Sequence, residues 1–228
     1  TPPKGRMAIH TKILPYNPTM VTNAIESELQ RNGQVYFLHN RIATIEKVKN
    51  NLSRLLRNRG SSKKSGQKLI PAARLVTVHG RIQEKDLIKI MDDFQKGKTN
   101  VLIATTIIEN GIDLPNVNTI IVEDASRLGL AQAYQIRGRV GRSHITSFAY
   151  LFHPKKLPPL AKERLKALGQ ANELGAGYQI AIKDLELRGA GNILGREQSG
   201  SINKVGLNLY CQMLADALEK SRIARPAP

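Results

Sequence analysis

Residues 135–142 read Gln135-Ile136-Arg137-Gly138-Arg139-Val140-Gly141-Arg142, so three arginines fall within six positions and two of them each follow a glycine. A guanidinium stays charged at any working pH, and its planar fork matches phosphate oxygens two at a time. Glycine lets the backbone approach with no side chain in the way. Such an array suits a pocket that must reach a triphosphate from the side. It also suits a basic surface helix that carries arginines for solubility, and the array alone does not separate the two.

The preceding residues narrow the choice. Val101-Leu102-Ile103-Ala104 is too short an apolar run for a helix and reads as a buried strand. Thr105, Thr106, Gly111 and Asp113 follow at once, where the carboxyl end of a strand would open into a ligand crevice. Residues 118–122, Asn-Thr-Ile-Ile-Val, read as a second buried strand. The loop between them thus carries hydroxyls, a glycine and a carboxylate. Asp113 could accept hydrogen bonds from a ribose or orient an arginine; it could equally be a turn residue before Leu114-Pro115.

The elements that must position these residues alternate. Strands are predicted over 8–14, 34–38, 74–78, 101–104, 118–122 and 148–152. Helices are predicted over 19–31, with Thr19 or Thr22 as cap, then 42–56, 83–94 and from 130 to 137. This alternation implies an α/β fold, a parallel sheet with helices on both faces. After Pro159 helices dominate. Residues 160–171 and 176–187 would form an antiparallel helical hairpin, 189–200 a glycine-rich loop, and 205–220 a last helix. Arg137 is expected to be a structural ion-pair residue, and Glu163 and Arg164 to lie on a solvated helix face. His39 and His79 end strands, but no further ligand stands at suitable spacing, so loop contacts are expected and no metal site. The basic run at 59–66 reads as a solvated linker or a DNA-touching loop.

Composition limits the partners. The 228 residues include 35 Lys and Arg against 18 Asp and Glu, a formal net charge of +17. That field favours a polyanion and predicts steeply salt-sensitive binding. No apolar run approaches the ~18 residues of a spanning helix, so no membrane partner is expected. The single Cys211 excludes an internal disulfide and fits a reducing compartment; a cytoplasmic location is expected. Aromatic residues are only 4%, which predicts grip on the phosphate backbone rather than base stacking.

The pair of motifs, Thr-Thr-x-x-x-x-Gly-x-Asp and then Gln-x-x-Gly-Arg-x-Gly-Arg, resembles motifs V and VI of superfamily 2 helicases. Residues 33–41 resemble the motif IV strand and its loop, and Val78-His79-Gly80 the small motif before the next helix. Asp184-Leu185-Glu186-Leu187-Arg188-Gly189-Ala190-Gly191-Asn192, continuing to Gly200, resembles the translocation motif shared by the RecG and transcription-repair coupling factor families. The sequences at 106–109, 129–132 and 206–210 favour the latter, and the resemblance covers nearly the whole chain. It implies a RecA-like lobe at 19–157, an interdomain linker and first strand at 1–18, and a translocation-motif unit at 158–228. The stretch 57–73 looks longer than the usual link, and its role stays open.

The resemblance also implies roles. Arg139 and Arg142 would be arginine fingers facing nucleotide phosphates, and Gln135 would orient the γ-phosphate or attacking water. Gly111 and Asp113 would lie near the ribose. Asn40, Arg41, His79, Gly80, Thr105 and Thr106 would contact DNA, and Arg188 and Gln198 would couple the glycine-rich loop to motif VI. ATP and Mg2+ would be bound mainly by a first RecA-like lobe of the same protein, because this chain has no Gly-x-x-x-x-Gly-Lys-[Ser/Thr] loop and no Asp-Glu pair after a buried strand. The chain, starting at Thr1, is expected to be an excised C-terminal lobe, inactive as an ATPase alone. Partners implied for the whole protein are double-stranded DNA, RNA polymerase and excision-repair proteins. A RecG-like fork-remodelling lobe and a non-enzymatic DNA-binding module are the competing readings.

Overall fold

A computed structural model describes residues 9–60, 71–105, 117–140, 145–171 and 176–188. The strands are β1 (Ile9–Pro15), β2 (Gln34–Leu38), β3 (Leu75–Val78), β4 (Val101–Ala104), β5 (Val117–Val122) and β6 (Ser147–His153). The helices are α1 (Pro18–Gln30), α2 (Ile45–Gly60), α3 (Glu84–Gln95), α4 (Leu130–Arg137), α5 (Pro159–Gln170) and α6 (Gly177–Arg188). One sheet, ordered β1-β6-β5-β2-β4-β3, holds all six strands with every pairing parallel.

The parallel sheet is buried on both sides, which is why its central strands are unbroken apolar runs. Every residue of β2, β4 and β5 is buried. Side chains alternate between two cores. Val35, Phe37, Val101, Ile103 and Ile121 pack with Val21, Ile25 and Leu29 of α1 and with Ile45 and Leu52 of α2. Tyr36, Leu38, Leu102, Ile120 and Leu151 face the other way, onto α3, α4, α5 and α6. Leu165, Leu168 and Ile180 belong to this second core, so α5 and α6 share the hydrophobic interior of the sheet.

Two local details depart from the sequence expectations. Asn17, not Thr19 or Thr22, caps α1: its Oδ1 accepts from Thr19 N at 2.9 Å and Met20 N at 3.4 Å. Pro18 sets the first helical turn, because its fixed φ suits that place and it has no N–H to satisfy. Thr22, inside the helix, instead donates its hydroxyl to Thr19 O at 3.0 Å. The predicted helix 42–56 opens as a 3-10 turn over Ile42–Thr44 and runs on to Gly60. The left-handed residue after α1 is Asn32, with φ 59°, a conformation that Asn tolerates better than most residues. Of the predicted loop 59–66, residues 59 and 60 belong to the end of α2, because the helix runs past its predicted end; residues 61–66, the loop 189–200 and the helix 205–220 lie outside the described residues.

Candidate nucleic-acid and nucleotide interface

Parallel strands bring all their exits to one edge. The hydrogen-bond ladder runs one residue past the strand ends: His39 N donates to Ala104 O at 2.9 Å, Thr105 N to Val78 O at 3.2 Å, and Glu123 N to Leu38 O at 3.1 Å. Asn40 and Arg41, His79 and Gly80, and Thr105 therefore stand side by side at the carboxyl edge, on adjacent strands about 4.8 Å apart. Asn40, Arg41 and Gly80 are exposed and His79 is half-buried. Thr105 is buried, and its hydroxyl has no partner among the described residues. Arg81, exposed just past Gly80, adds a cation that the sequence reading did not single out. Its only signal was adjacency to the His79-Gly80 motif. Thr106, Gly111, Asp113, Arg142 and Gln198 lie outside the described residues, as does the side chain of Arg188.

The edge contains a crevice at a topological switch point. From β2 the chain leaves towards α2 on one face; from β5 it leaves towards α4 on the other. Ligand crevices in open α/β sheets form where neighbouring connections diverge in this way. A cavity of about 280 Å³ lies there, lined by His39, Asn40, Arg41, Glu123, Asp124 and Arg127 among others. His39 is buried, with one ring nitrogen on the Glu123 carboxylate and the other 2.7 Å from Thr44 Oγ1. The expectation of loop contacts for the strand-ending histidines holds for both, since His79 Nδ1 accepts from Arg81 N at 3.3 Å. Nearby, burial and then the Glu123 charge push the Tyr16 phenol above its ordinary range.

Gln135 and Arg139 sit elsewhere. α4 begins after the carboxyl edge and must run back down the sheet before β6 can start in parallel, so it carries both residues away from the row above. Gln135 is exposed, and Arg139 is half-buried on the turn after the helix, its N–H donating to Ile136 O at 3.1 Å. Arg137 turns inward: its guanidinium lies 4.7 Å from the Tyr134 ring and donates to Leu168 O at 3.4 Å. Its place is structural, built on the aromatic ring and a helix carbonyl where an ion pair was expected.

α5 and α6 grip α4 along its length. Arg164 donates to Leu128 O at 3.0 Å, just before the helix, while Arg137 near its end reaches Leu168. Asp184 Oδ1 accepts from Leu130 N at 3.2 Å, and Gly177 lies against the Tyr134 ring. α5 thus runs along α4 in the same direction and α6 in the opposite one, which makes α5 and α6 an antiparallel pair. Arg164 is therefore not on a solvated face: it is half-buried and bonded, whereas Glu163 is exposed as expected. Asp184 caps α4 from 54 residues away. Gly129, at the N-cap, has no side chain to do so, and no local sequence signal could have named its substitute.

Residues 18–144 match the family model for the helicase conserved C-terminal domain, and the chain belongs to that family. Its sheet and helices have the RecA-like arrangement of such lobes. Among curated relatives, the chain is 45% identical over 224 residues to the transcription-repair-coupling factor of Bacillus subtilis (strain 168) and 43% identical to that of Staphylococcus aureus (strain USA300). Each match covers 97% of this chain and 18% of the relative. The chain thus spans under a fifth of those proteins' length. Among solved structures, RecG bound to a three-way DNA junction aligns at TM-score 0.66 and 29% identity, covering 83% of this chain and 24% of that one. The C-terminal domain of the DEAD-box protein Dbp5 aligns at 0.51 and 21% identity, over 72% of this chain and 84% of that one, a likeness of fold. Among the described residues no helix is long and apolar enough to cross a membrane, and no cluster of His, Cys, Asp and Glu could hold a metal ion.

Proposed function

We propose that this chain is the second motor lobe of an ATP-dependent double-stranded DNA translocase that displaces stalled RNA polymerase and couples transcription to excision repair. The observation that carries the reading is the separation of two sets of groups on one rigid sheet. The carboxyl edge holds Asn40, Arg41, His79 and Gly80, while α4 holds Gln135 and the turn after it holds Arg139. A translocase lobe needs that division, since it must grip a phosphate backbone while presenting positive charge to a nucleotide elsewhere. The similarity to transcription-repair-coupling factors over 97% of the chain supports the polymerase-displacing branch.

Bound ATP with Mg2+, held mainly by another lobe, supplies the phosphoryl-transfer chemistry. From this chain Arg139 and Arg142 would face the phosphates, Gln135 would orient the γ-phosphate or attacking water, and Gly111 and Asp113 would stand near the ribose. The turn after α4 fits this task, because it carries a half-buried arginine on a backbone fixed by hydrogen bonds. Charge placed there acts only when the lobes close, so turnover would report conformation. Thr105 and Thr106 would complete the DNA row. Arg188 and Gln198 would pass closure to the helical pair and its loop. The working location is cytoplasmic.

The test uses the full-length protein. Arg142→Ala should lower DNA-stimulated hydrolysis by about 10³-fold or more; an unchanged rate removes the arginine-finger assignment. Gln198→Ala should keep hydrolysis and lose translocation, and intact polymerase displacement would remove the coupling role. A fork-remodelling lobe is the second reading, favoured by the 0.66 alignment with RecG. Fork reversal without displacement of stalled polymerase would select it.

A further inference from the structure

His39 is a buried imidazole engaged on both nitrogens, in a place where neither bond is needed to complete the sheet. Its backbone N–H already bonds to Ala104 O at 2.9 Å. Its side chain does something else. One nitrogen meets Thr44 Oγ1 at 2.7 Å, and Thr44 closes the far end of the loop that begins at His39. The ring thus staples that loop across its base, with Asn40 and Arg41 held between the two anchors. The other nitrogen meets the Glu123 carboxylate, 84 residues away on the exit of β5.

Glu123 has a neighbour with the complementary task. Asp124 accepts from Ser126 N at 3.2 Å, Ser126 Oγ at 2.5 Å and Arg127 Nε at 2.8 Å. Those bonds shape the 3-10 turn over Ala125–Arg127 that delivers the chain to α4. Two consecutive carboxylates therefore hold two different structures: Glu123 the loop with Asn40 and Arg41, Asp124 the approach to α4, which carries Gln135 and leads to Arg139. One peptide bond joins the two carboxylates, which both line the open crevice of about 280 Å³.

We propose that His39 and Glu123 are positioning residues that keep the Asn40–Arg41 loop in register with the turn leading into α4, and so set both the affinity for duplex DNA and the degree to which DNA stimulates hydrolysis. The proposal rests on the translocase reading above. A charged, hydrogen-bonded link between two elements carries coupling because its loss frees one element without unfolding the other. A merely structural pair would lower stability and all activities together.

The experiment uses the full-length protein and the variants His39→Phe, Glu123→Ala, Glu123→Gln and the His39→Phe/Glu123→Ala double. Binding of a fluorescent DNA duplex without nucleotide is measured by anisotropy. Hydrolysis is measured with and without DNA, and melting temperature is followed throughout. His39→Phe and Glu123→Ala should each weaken duplex binding about tenfold, a typical size for coupling between sites. Hydrolysis without DNA should be unchanged. The double variant should be no weaker than the worse single, His39→Phe, because both singles already remove the His39–Glu123 bond. Glu123→Gln, which still offers an acceptor to the ring, should recover most of the loss.

Variants that bind and respond like the wild type overturn the proposal. So do additive singles, or an equal fall in hydrolysis with and without DNA. If His39→Phe does not fold, the comparison of Glu123→Ala with Glu123→Gln decides alone. A wild type that DNA does not stimulate sinks the translocase reading itself; a stimulated wild type with inert variants sinks only the His39–Glu123 link.

Discussion

Replacing Asp184 by Ala tests whether α6 is seated on α4 as described. Asp184 is buried, and its Oδ1 accepts from Leu130 N at 3.2 Å. Leu130 is itself buried at the first position of α4, behind a glycine that offers no cap. Removing the carboxylate takes away a cap and strands a desolvated N–H. These are one loss seen from two sides, and it costs about 1–3 kcal/mol. Asp184 makes a further interaction, whose loss adds to the figure. For a chain of this length, that is a fall in Tm of roughly 2–12 °C. Asp184→Asn keeps an acceptor and loses the charge at the helix N-terminus, which costs about 0.3–1 kcal/mol. The control is Glu186→Ala, two residues on, whose partner is Lys183 at 3.0 Å with both side chains well exposed. It should cost less than about 1 kcal/mol. Thermal melts of the 228-residue chain followed by circular dichroism supply the readout. If Asp184→Ala melts with Glu186→Ala rather than well below it, the seating of α6 on α4 is wrong.

Other outcomes follow from single contacts. A Cβ on Gly33 would stand 1.7 Å from Glu28 Oε1. Glu28 cannot swing away easily, because it is buried and bonded to Arg31 and Thr119. Gly33→Ala should therefore lower stability by about 3 kcal/mol, and a denaturant midpoint equal to the wild type's would contradict the packing. The Thr77 hydroxyl is the main cause holding the Glu46 carboxyl below its usual range, with Lys49 adding to it and burial opposing. A depressed carboxylate pKa stabilises the fold above the unfolded value, and that contribution is lost as pH falls through the folded one. Thr77→Val should cost about 0.5–1 kcal/mol near neutrality, and the gap should close as the solution is acidified below pH ~4; a gap constant with pH would refute the link. In the full-length protein, Arg41→Ala should weaken duplex binding for all sequences alike and reduce the log–log salt slope by about 1. An unaltered slope would remove Arg41 from the phosphate-contacting edge.

Much of the frame was legible because its signals are local. The apolar runs 34–38 and 101–104 could only be buried strands, and their alternation with amphipathic helices required a parallel sheet. That in turn required their polar exits, with Asn40, Arg41, His79, Gly80 and Thr105, to share one edge. The arginine-glycine array suited phosphate chemistry by residue type, but its spacing alone suited a basic surface helix as well. What the sequence could not contain was any bond between distant segments. Asp184 meets Leu130, Arg164 meets Leu128, and Glu123 meets His39; none of these pairs has a periodicity or motif to betray it. Arg164, read from its own helix, belonged to solvent, and only the helix packed beside it supplied a carbonyl. Local pattern is set by which residues want burial and which backbone angles they allow. Tertiary partnership is set by which surfaces meet once those elements are packed, and a desolvated charge then takes whatever partner the packing leaves within reach.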